Sequence, residues 1–293
     1  MKLPLRTTIN AMRANVNLHA AAVVAAMLLG TTAAHADPVS LFDQGFETDA
    51  LGWFDDGTAD GEGGWQGQVT RVSSGTAGIA SSNGAYHAIF TQEQATTSPF
   101  TRFNGYSDVW TGGFTASADI YLDTSWAEGS GFDYAVAANS QDNTHLRDFI
   151  FHVGVNNGDL LVGGSNNADF TTKTNIANNN HHQVTSAGWF TFEHDFYEET
   201  DGSLAVDLNL LDAGGSLLWT ETRNNAADLI ASVVGGNRYG WFTHIDVQDG
   251  LHVDNTSLSA VPTPVAGVLG LAAFGMLGMR RARRDQSLAA VEA

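Results

Sequence analysis

Leu204-Ala205-Val206-Asp207-Leu208-Asn209-Leu210 is the stretch from which the fold is read. Leu204, Val206, Leu208 and Leu210 occupy every second position, with Ala205, Asp207 and Asn209 between them. A period of two is that of a strand with one apolar and one solvated face, because successive side chains point to opposite sides. Gly113 to Leu122 (GFTASADIYL) has the same character, and similar runs lie near Val69–Val72, Tyr86–Thr91, Phe132–Ala138, Asp148–Val155, Trp189–Phe196, Ser216–Thr222, Tyr239–Ile245 and Leu251–Leu258. Asn157-Gly158-Asp159 and Asp201-Gly202 are hairpin turn signals, since Asn and Gly tolerate the positive φ that tight turns require. Only Asn225–Val234 has a helical pattern. Many short strands with almost no helix predict an all-β chain, a two-sheet antiparallel jelly-roll sandwich.

The ends of the chain carry different signals. Lys2, Arg6 and Arg13 precede an apolar, Ala-rich run from Ala20 to Leu29, followed by Ala34-His35-Ala36. Charge, short apolar run and Ala-x-Ala site in that order predict a signal peptide over 1–36, with mature protein starting near Asp37. At the other end Val261-Pro262-Thr263-Pro264 breaks the last strand, and Val265–Met279 is an uncharged, short hydrophobic helix ahead of Arg280, Arg281, Arg283 and Arg284. The arginines would stay cytoplasmic, leaving 285–293 as a cytoplasmic tail and 37–260 exported.

Pro motif, Gly/Leu/Ala-rich helix and arginine cluster together resemble the PEP-CTERM sorting tails of Gram-negative bacteria over residues 261–284. Thr263 stands where those tails usually carry an acidic residue. The resemblance implies an exosortase-type processing enzyme in the inner membrane as a partner, transient anchoring, and delivery to the cell surface or an extracellular polysaccharide matrix.

Charge narrows the functions open to the domain. Of 32 acidic residues only Asp285 and Glu292 lie outside 37–260, which leaves 30 against 6 basic ones there, a balance of −24. Such a surface repels nucleic acid and anionic lipid. It attracts cations, calcium above all, because hard carboxylate oxygens suit it. Cysteine is absent, so no disulfide braces the fold. About 225 residues can bury enough apolar surface without one.

Asp43-Gln44-Gly45-Phe46-Glu47 with Gly52-Trp53 resembles the opening strand of secreted jelly-roll modules, and Val253 to Leu258 resembles their closing strand. The resemblance implies a concanavalin or laminin-G-like sandwich over 39–259. It also implies a structural calcium ion between first and last strands, held by Glu47 and Asp254 with Asp43 or Asp249 nearby.

Glu193-His194-Asp195-Phe196-Tyr197-Glu198 resembles the catalytic strand of laminarinase-like glycoside hydrolases, with His194 where an aliphatic residue is usual. That resemblance implies Glu193 as nucleophile, Asp195 as helper and Glu198 as acid/base, provided a bulge brings Glu198 onto the face of Glu193. A solvated strand face explains the same run without chemistry, and Glu198 falls at the start of a turn. His181-His182 reads as a polar loop. Ser, His and Asp are all present, but no G-x-S-x-G elbow joins a strand to a helix.

Trp65, Trp110 and Trp126 fall in or beside loops rich in Gly, Asn and Asp, where an indole face can stack on a sugar ring while amides and carboxylates take its hydroxyls. Trp53, Trp189, Trp219 and Trp241 lie within strand patterns and are expected in the core. The domain is thus expected to associate non-catalytically with extracellular polysaccharide. The rivals are a purely structural or adhesive matrix component, and a hydrolase using Glu193 and Glu198.

Overall fold

A computed structural model describes residues 38–54, 67–92, 98–106, 113–139, 142–167, 172–199, 203–224 and 236–260. The expected signal peptide, the 261–284 segment with Val261, Pro262, Thr263, Pro264 and its arginines, Trp65, Trp110, the Asp201-Gly202 turn and the helical pattern at 225–234 lie outside them. Among the described residues no helix is long and apolar enough to cross a membrane.

The strands are β1 (Val39–Gln44), β2 (Trp53–Phe54), β3 (Gln68–Ser73), β4 (Tyr86–Thr91), β5 (Phe100–Thr101), β6 (Phe114–Leu122), β7 (Gly131–Asn139), β8 (His145–Asn156), β9 (Asp159–Asn166), β10 (His181–Val184), β11 (Gly188–Glu198), β12 (Leu204–Asp212), β13 (Leu217–Arg223), β14 (Asn237–Thr243) and β15 (Leu251–Ala260). They form two antiparallel sheets. Sheet A runs β13-β12-β11-β6-β15-β4-β3, and sheet B runs β10-β9-β8-β7-β14-β5-β2. The chain changes sheet at each step from β4 to β7, whereas β7 to β10 and β11 to β13 are meanders within one sheet. This is an all-β sandwich with jelly-roll crossings.

β15 pairs with β6 along one side, and along the other with β4 through Leu251–Val253 and β1 through Thr256–Ala260. The handover falls at a bulge where Asn255 has φ 44°. The β8–β9 hairpin turns on Asn157 (φ 55°) and Gly158 (φ 86°), the mirror-image turn that Asn-Gly favours. Glu128 fixes it by accepting both of their N–H groups, at 3.0 and 2.9 Å.

Alternation along β11 and β12 turns Phe192, His194, Phe196, Val206, Leu208 and Leu210 inward. Aromatic rings from both sheets interlock in the core: Phe149 with Phe196 (5.5 Å), Phe151 with Phe192 (5.0 Å) and Phe90 with Phe242 (5.1 Å). Trp53 reaches Phe90 at 4.7 Å and donates from Nε1 to Thr256 Oγ1 at 3.0 Å, so its indole carries a partner for its one polar atom into the core.

Two of the four tryptophans expected in the core are elsewhere. Trp53 and Trp219 are buried, but Trp189 and Trp241 are half-buried and fall on the opposite strand parity from the inward Phe192 and Phe242. Position within a strand does not choose the face. Likewise His181-His182, read as a loop, opens β10, where His182 pairs with Val162.

Candidate functional site

At one end of sheet A the β6–β7 and β14–β15 connections and the β3–β4 turn enclose a cavity of about 350 Å³. Its lining includes Tyr121, Asp123, Ser125, Trp126, Gln248, Asp249 and His252. Asp123 shapes the first wall: its Oδ1 accepts the N–H of Ser125 (2.8 Å), and its carbonyl accepts that of Trp126 (3.1 Å). Trp126 is thereby held half-buried, packed on Phe132 at 6.4 Å. The second wall is a tight turn closed by Gly250 N–H to Val247 O at 3.2 Å. It needs φ 87° at Gly250, where a Cβ would also meet Ile89 Cγ2 at 2.5 Å.

Tyr121 and His252, which line the cavity, belong to a box of four rings with His87 and Trp189 packed against them. Trp189 lies 5.8 Å from His87 and 5.6 Å from Tyr121, both edge-on, and His252 lies 4.9 Å from His87. Trp189 donates from Nε1 to Ala80 O at 2.7 Å, tying the box to the β3–β4 turn. Hydrogen bonds run from Ser81 Oγ to His87 Nδ1 (3.0 Å) and from His87 Nε2 to His252 Nδ1 (2.7 Å). Burial, and then the neighbouring His87, push the His252 imidazole down to about 4; burial lowers His87 as well. Both rings are therefore neutral near pH 7, and the cavity meets a ligand with hydrogen-bonding groups and two carboxylates rather than positive charge. Neither ring has the pKa near 7 that suits a general base.

Of the three tryptophans expected to face a sugar, Trp126 alone lies among the described residues, and it lines this cavity together with Asp249. Tyr121, Trp189, His87 and His252 were missed. Their signal was available in part: Tyr121 and Trp189 are aromatic residues at strand positions whose partners on the same face are polar.

The Glu193–Glu198 pair is not assembled. β11 pairs with β12 without a register shift from Phe190–Asp212 to Glu198–Leu204, so the bulge needed to bring Glu198 onto the face of Glu193 is absent. Glu193 and Asp195 lie on the outer face of sheet A, and Glu198, three residues after Asp195, has the opposite parity. Glu193 accepts from Asn209 Nδ2 at 3.0 Å and Asp195 from Thr115 Oγ1 at 3.0 Å. Burial raises the Asp195 carboxyl, with Asp207 across the ladder adding repulsion. A hydrogen-bonded outer face accounts for the run.

Glu47 and Asp254 do converge, on the turn before β4. Glu47 accepts the N–H groups of Ala85 (2.9 Å) and Tyr86 (3.0 Å), and Asp254 accepts that of Asn83 (3.1 Å). Asp43 lies across from Ser257 on β15. Among the described residues no group of three or more His, Cys, Asp or Glu side chains is arranged to hold a metal ion.

No protein-family model and no curated protein sequence matches the chain. Solved structures similar to it include the CBM2 module of the evolved Dit of Lactobacillus casei BL23 phage J-1 (12% identity, TM-score 0.46, 76% of this chain and 96% of that one). Another is an endo-1,3-beta-glucanase from Streptomyces sioyaensis (12% identity, TM-score 0.40, 77% and 97%). The alginate lyase Aly36B, crystallised with alginate trisaccharide, is similar at 10% identity and TM-score 0.41 over 78% of this chain and 100% of that one.

Proposed function

We propose that this protein is an exported β-sandwich that associates non-catalytically with extracellular polysaccharide, through the cavity lined by Tyr121, Trp126 and His252. The observation that supports it is the composition of that cavity. Aromatic faces stand beside Asp123, Gln248 and Asp249 in about 350 Å³, a volume suited to one or two sugar rings. Sugar C–H faces stack on aromatic rings while hydroxyls donate to carboxylates. Delivery would follow the signal peptide and the PEP-CTERM-like segment, with processing by an exosortase-type enzyme and release to the cell surface or matrix.

The test is titration calorimetry of the full chain with oligosaccharides cut from the producing organism's exopolysaccharide. Saturable binding that weakens at least ten-fold in Trp126→Ala and Tyr121→Ala supports the reading. Binding unaffected by either variant moves the site elsewhere, and no binding leaves a structural matrix component.

A further inference from the structure

The cavity that holds Trp126 carries charge of one sign only. Asp123 and Asp249 line it, and among the described residues of its lining none is a lysine or an arginine. Asp123 uses one oxygen, Oδ1, to accept the N–H of Ser125 at 2.8 Å; no hydrogen bond among the described residues occupies its other oxygen. Asp249 is exposed and has φ 68°, a left-handed conformation that asparagine takes as readily as aspartate. The backbone therefore asks for no charge at this position.

His252 supplies a third group. It is 6% exposed and lines the cavity, its Nδ1 lies 2.7 Å from His87 Nε2, and its own Nε2 has no hydrogen-bond partner among the described residues. A buried polar atom of this kind costs stability until something meets it. Each neutral ring carries one N–H, so the Ser81–His87–His252 chain has two polarities. If His252 donates from Nδ1 to His87 Nε2, His87 donates from Nδ1 to Ser81 Oγ, and His252 Nε2 is a bare lone pair. In the other polarity Nε2 carries the proton.

Charge discriminates between classes of sugar. The balance of −24 over residues 37–260 repels uronates and sulfated sugars and concentrates cations near the surface. The cavity lining holds no cation to offset it. A neutral sugar can donate hydroxyls to Asp123 and Asp249 but leaves both carboxylates without an opposite charge. A protonated amine on a sugar ring brings three N–H donors and a positive charge, matching the two carboxylates and the His252 lone pair. The same charge is attracted to the faces of Trp126 and Tyr121.

We propose that the cavity selects amino sugars whose nitrogen is free and protonated rather than acetylated, with Asp123 and Asp249 as the specificity-determining residues. This rests on the saccharide reading of the same cavity and names its ligand class. The ammonium donates to the carboxylates and to His252 Nε2, which fixes the histidine chain in the polarity where His252 Nδ1 donates to His87.

The full chain is titrated calorimetrically with trisaccharides of glucosamine, N-acetylglucosamine, glucose and galacturonate. The glucosamine trisaccharide should bind about ten-fold more tightly than the glucose one or better, as expected for hydrogen bonds to charged groups. The N-acetylated form should resemble glucose, and galacturonate should bind most weakly. Added salt should narrow the gap by screening. Asp123→Asn keeps an acceptor for Ser125 and Asp249→Asn keeps the φ preference; each should weaken the glucosamine trisaccharide about five-fold and leave the glucose one unchanged. Equal binding of the glucosamine and glucose forms, both lost in Trp126→Ala, overturns the amine selection and keeps the saccharide reading. Failure of the glucosamine form to bind also overturns the proposal, while the saccharide reading stands or falls on the organism's own oligosaccharides. Tri-lysine bound as tightly as the glucosamine form overturns the assignment to sugars. A preference that survives both Asn variants overturns the assignment to these carboxylates.

Discussion

His87 Nε2 and His252 Nδ1 lie 2.7 Å apart on neighbouring strands, buried beside Trp189, with His252 in the lining of the cavity. Such a contact needs one ring to donate and the other to accept, which two neutral imidazoles can do and two imidazolium rings cannot.

That pair makes the cavity end of the fold acid-sensitive. His252 is near 4 when folded against an ordinary 6.5, so between those values the unfolded chain binds more protons. Stability from this group is complete above pH 6.5 and is lost as pH falls toward 4. The full loss is roughly 3 kcal/mol at 1.36 kcal/mol per pKa unit. Thermal melts at pH 7.5 and 4.5 should show a larger acid loss for the unaltered chain than for His252→Gln; equal losses would refute the assignment.

His194 adds to the same sensitivity from inside the core. It is fully buried between Tyr134 (5.2 Å) and Phe151 (4.9 Å), donates from Nε2 to Phe149 O at 3.1 Å, and finds no partner for Nδ1 among the described residues. Burial pushes the ring down to about 3, so it too favours the folded state above pH 6.5 and costs stability below. His194→Leu is expected to change stability at pH 7.5 by no more than about 1 kcal/mol, because it removes both a hydrogen bond and an orphaned polar atom. Its acid-unfolding midpoint should move to lower pH.

Asp254 works in the opposite sense. Burial, with repulsion from Asp119, raises its carboxyl to about 6, so the native state holds a proton that the unfolded state has released between about 3.8 and 6. Stability from this group is lost as pH rises through that window. Asp254→Asn should therefore be more stable than the unaltered chain at pH 7.5, by about 1–2 kcal/mol, and gain less at pH 4. Differential scanning calorimetry at the two pH values reads this directly. The same melts with and without calcium address Glu47, Asp254 and Asp43: a calcium-dependent rise that vanishes in Asp254→Asn locates an ion there, and none excludes it.

Glu193 and Glu198, on opposite faces of β11, should be energetically independent. Glu193→Gln and Glu198→Gln are expected to combine additively within about 0.5 kcal/mol in urea unfolding. Glu193 and Asn209, hydrogen-bonded across the ladder at 3.0 Å, should instead show a coupling of about 0.5–1 kcal/mol in a double-mutant cycle.

Trp53→Ala should cost about 3–5 kcal/mol, because the indole spans from β2 to Phe90 and Phe242 and fastens Thr256. Trp53→Phe, keeping one aromatic ring but neither the full indole nor its Nε1 donor, should cost less, about 2–3 kcal/mol. Equal losses would mean that the rest of the indole and its donor carry the effect.

Local order along the chain is legible in the residues themselves. The alternation of Leu204 to Leu210, the Asn157-Gly158 turn and the runs at Phe132–Ala138 and Asp148–Val155 each specify a strand or hairpin through φ/ψ preference and a period of two, and all are found. The acidic balance and the absence of cysteine are equally properties of the sequence alone. What those local rules do not contain is register between strands distant in sequence. Register brings His87 to His252 across 165 positions, and the unbroken β11–β12 ladder, with no bulge in it, keeps Glu198 off the face of Glu193. It also sends Trp189 outward, because in a chain this rich in aromatic residues only the facing sheet decides which side of a strand is the core. Strand identity is a short-range property of the backbone, whereas the cavity exists only once two sheets have closed on each other.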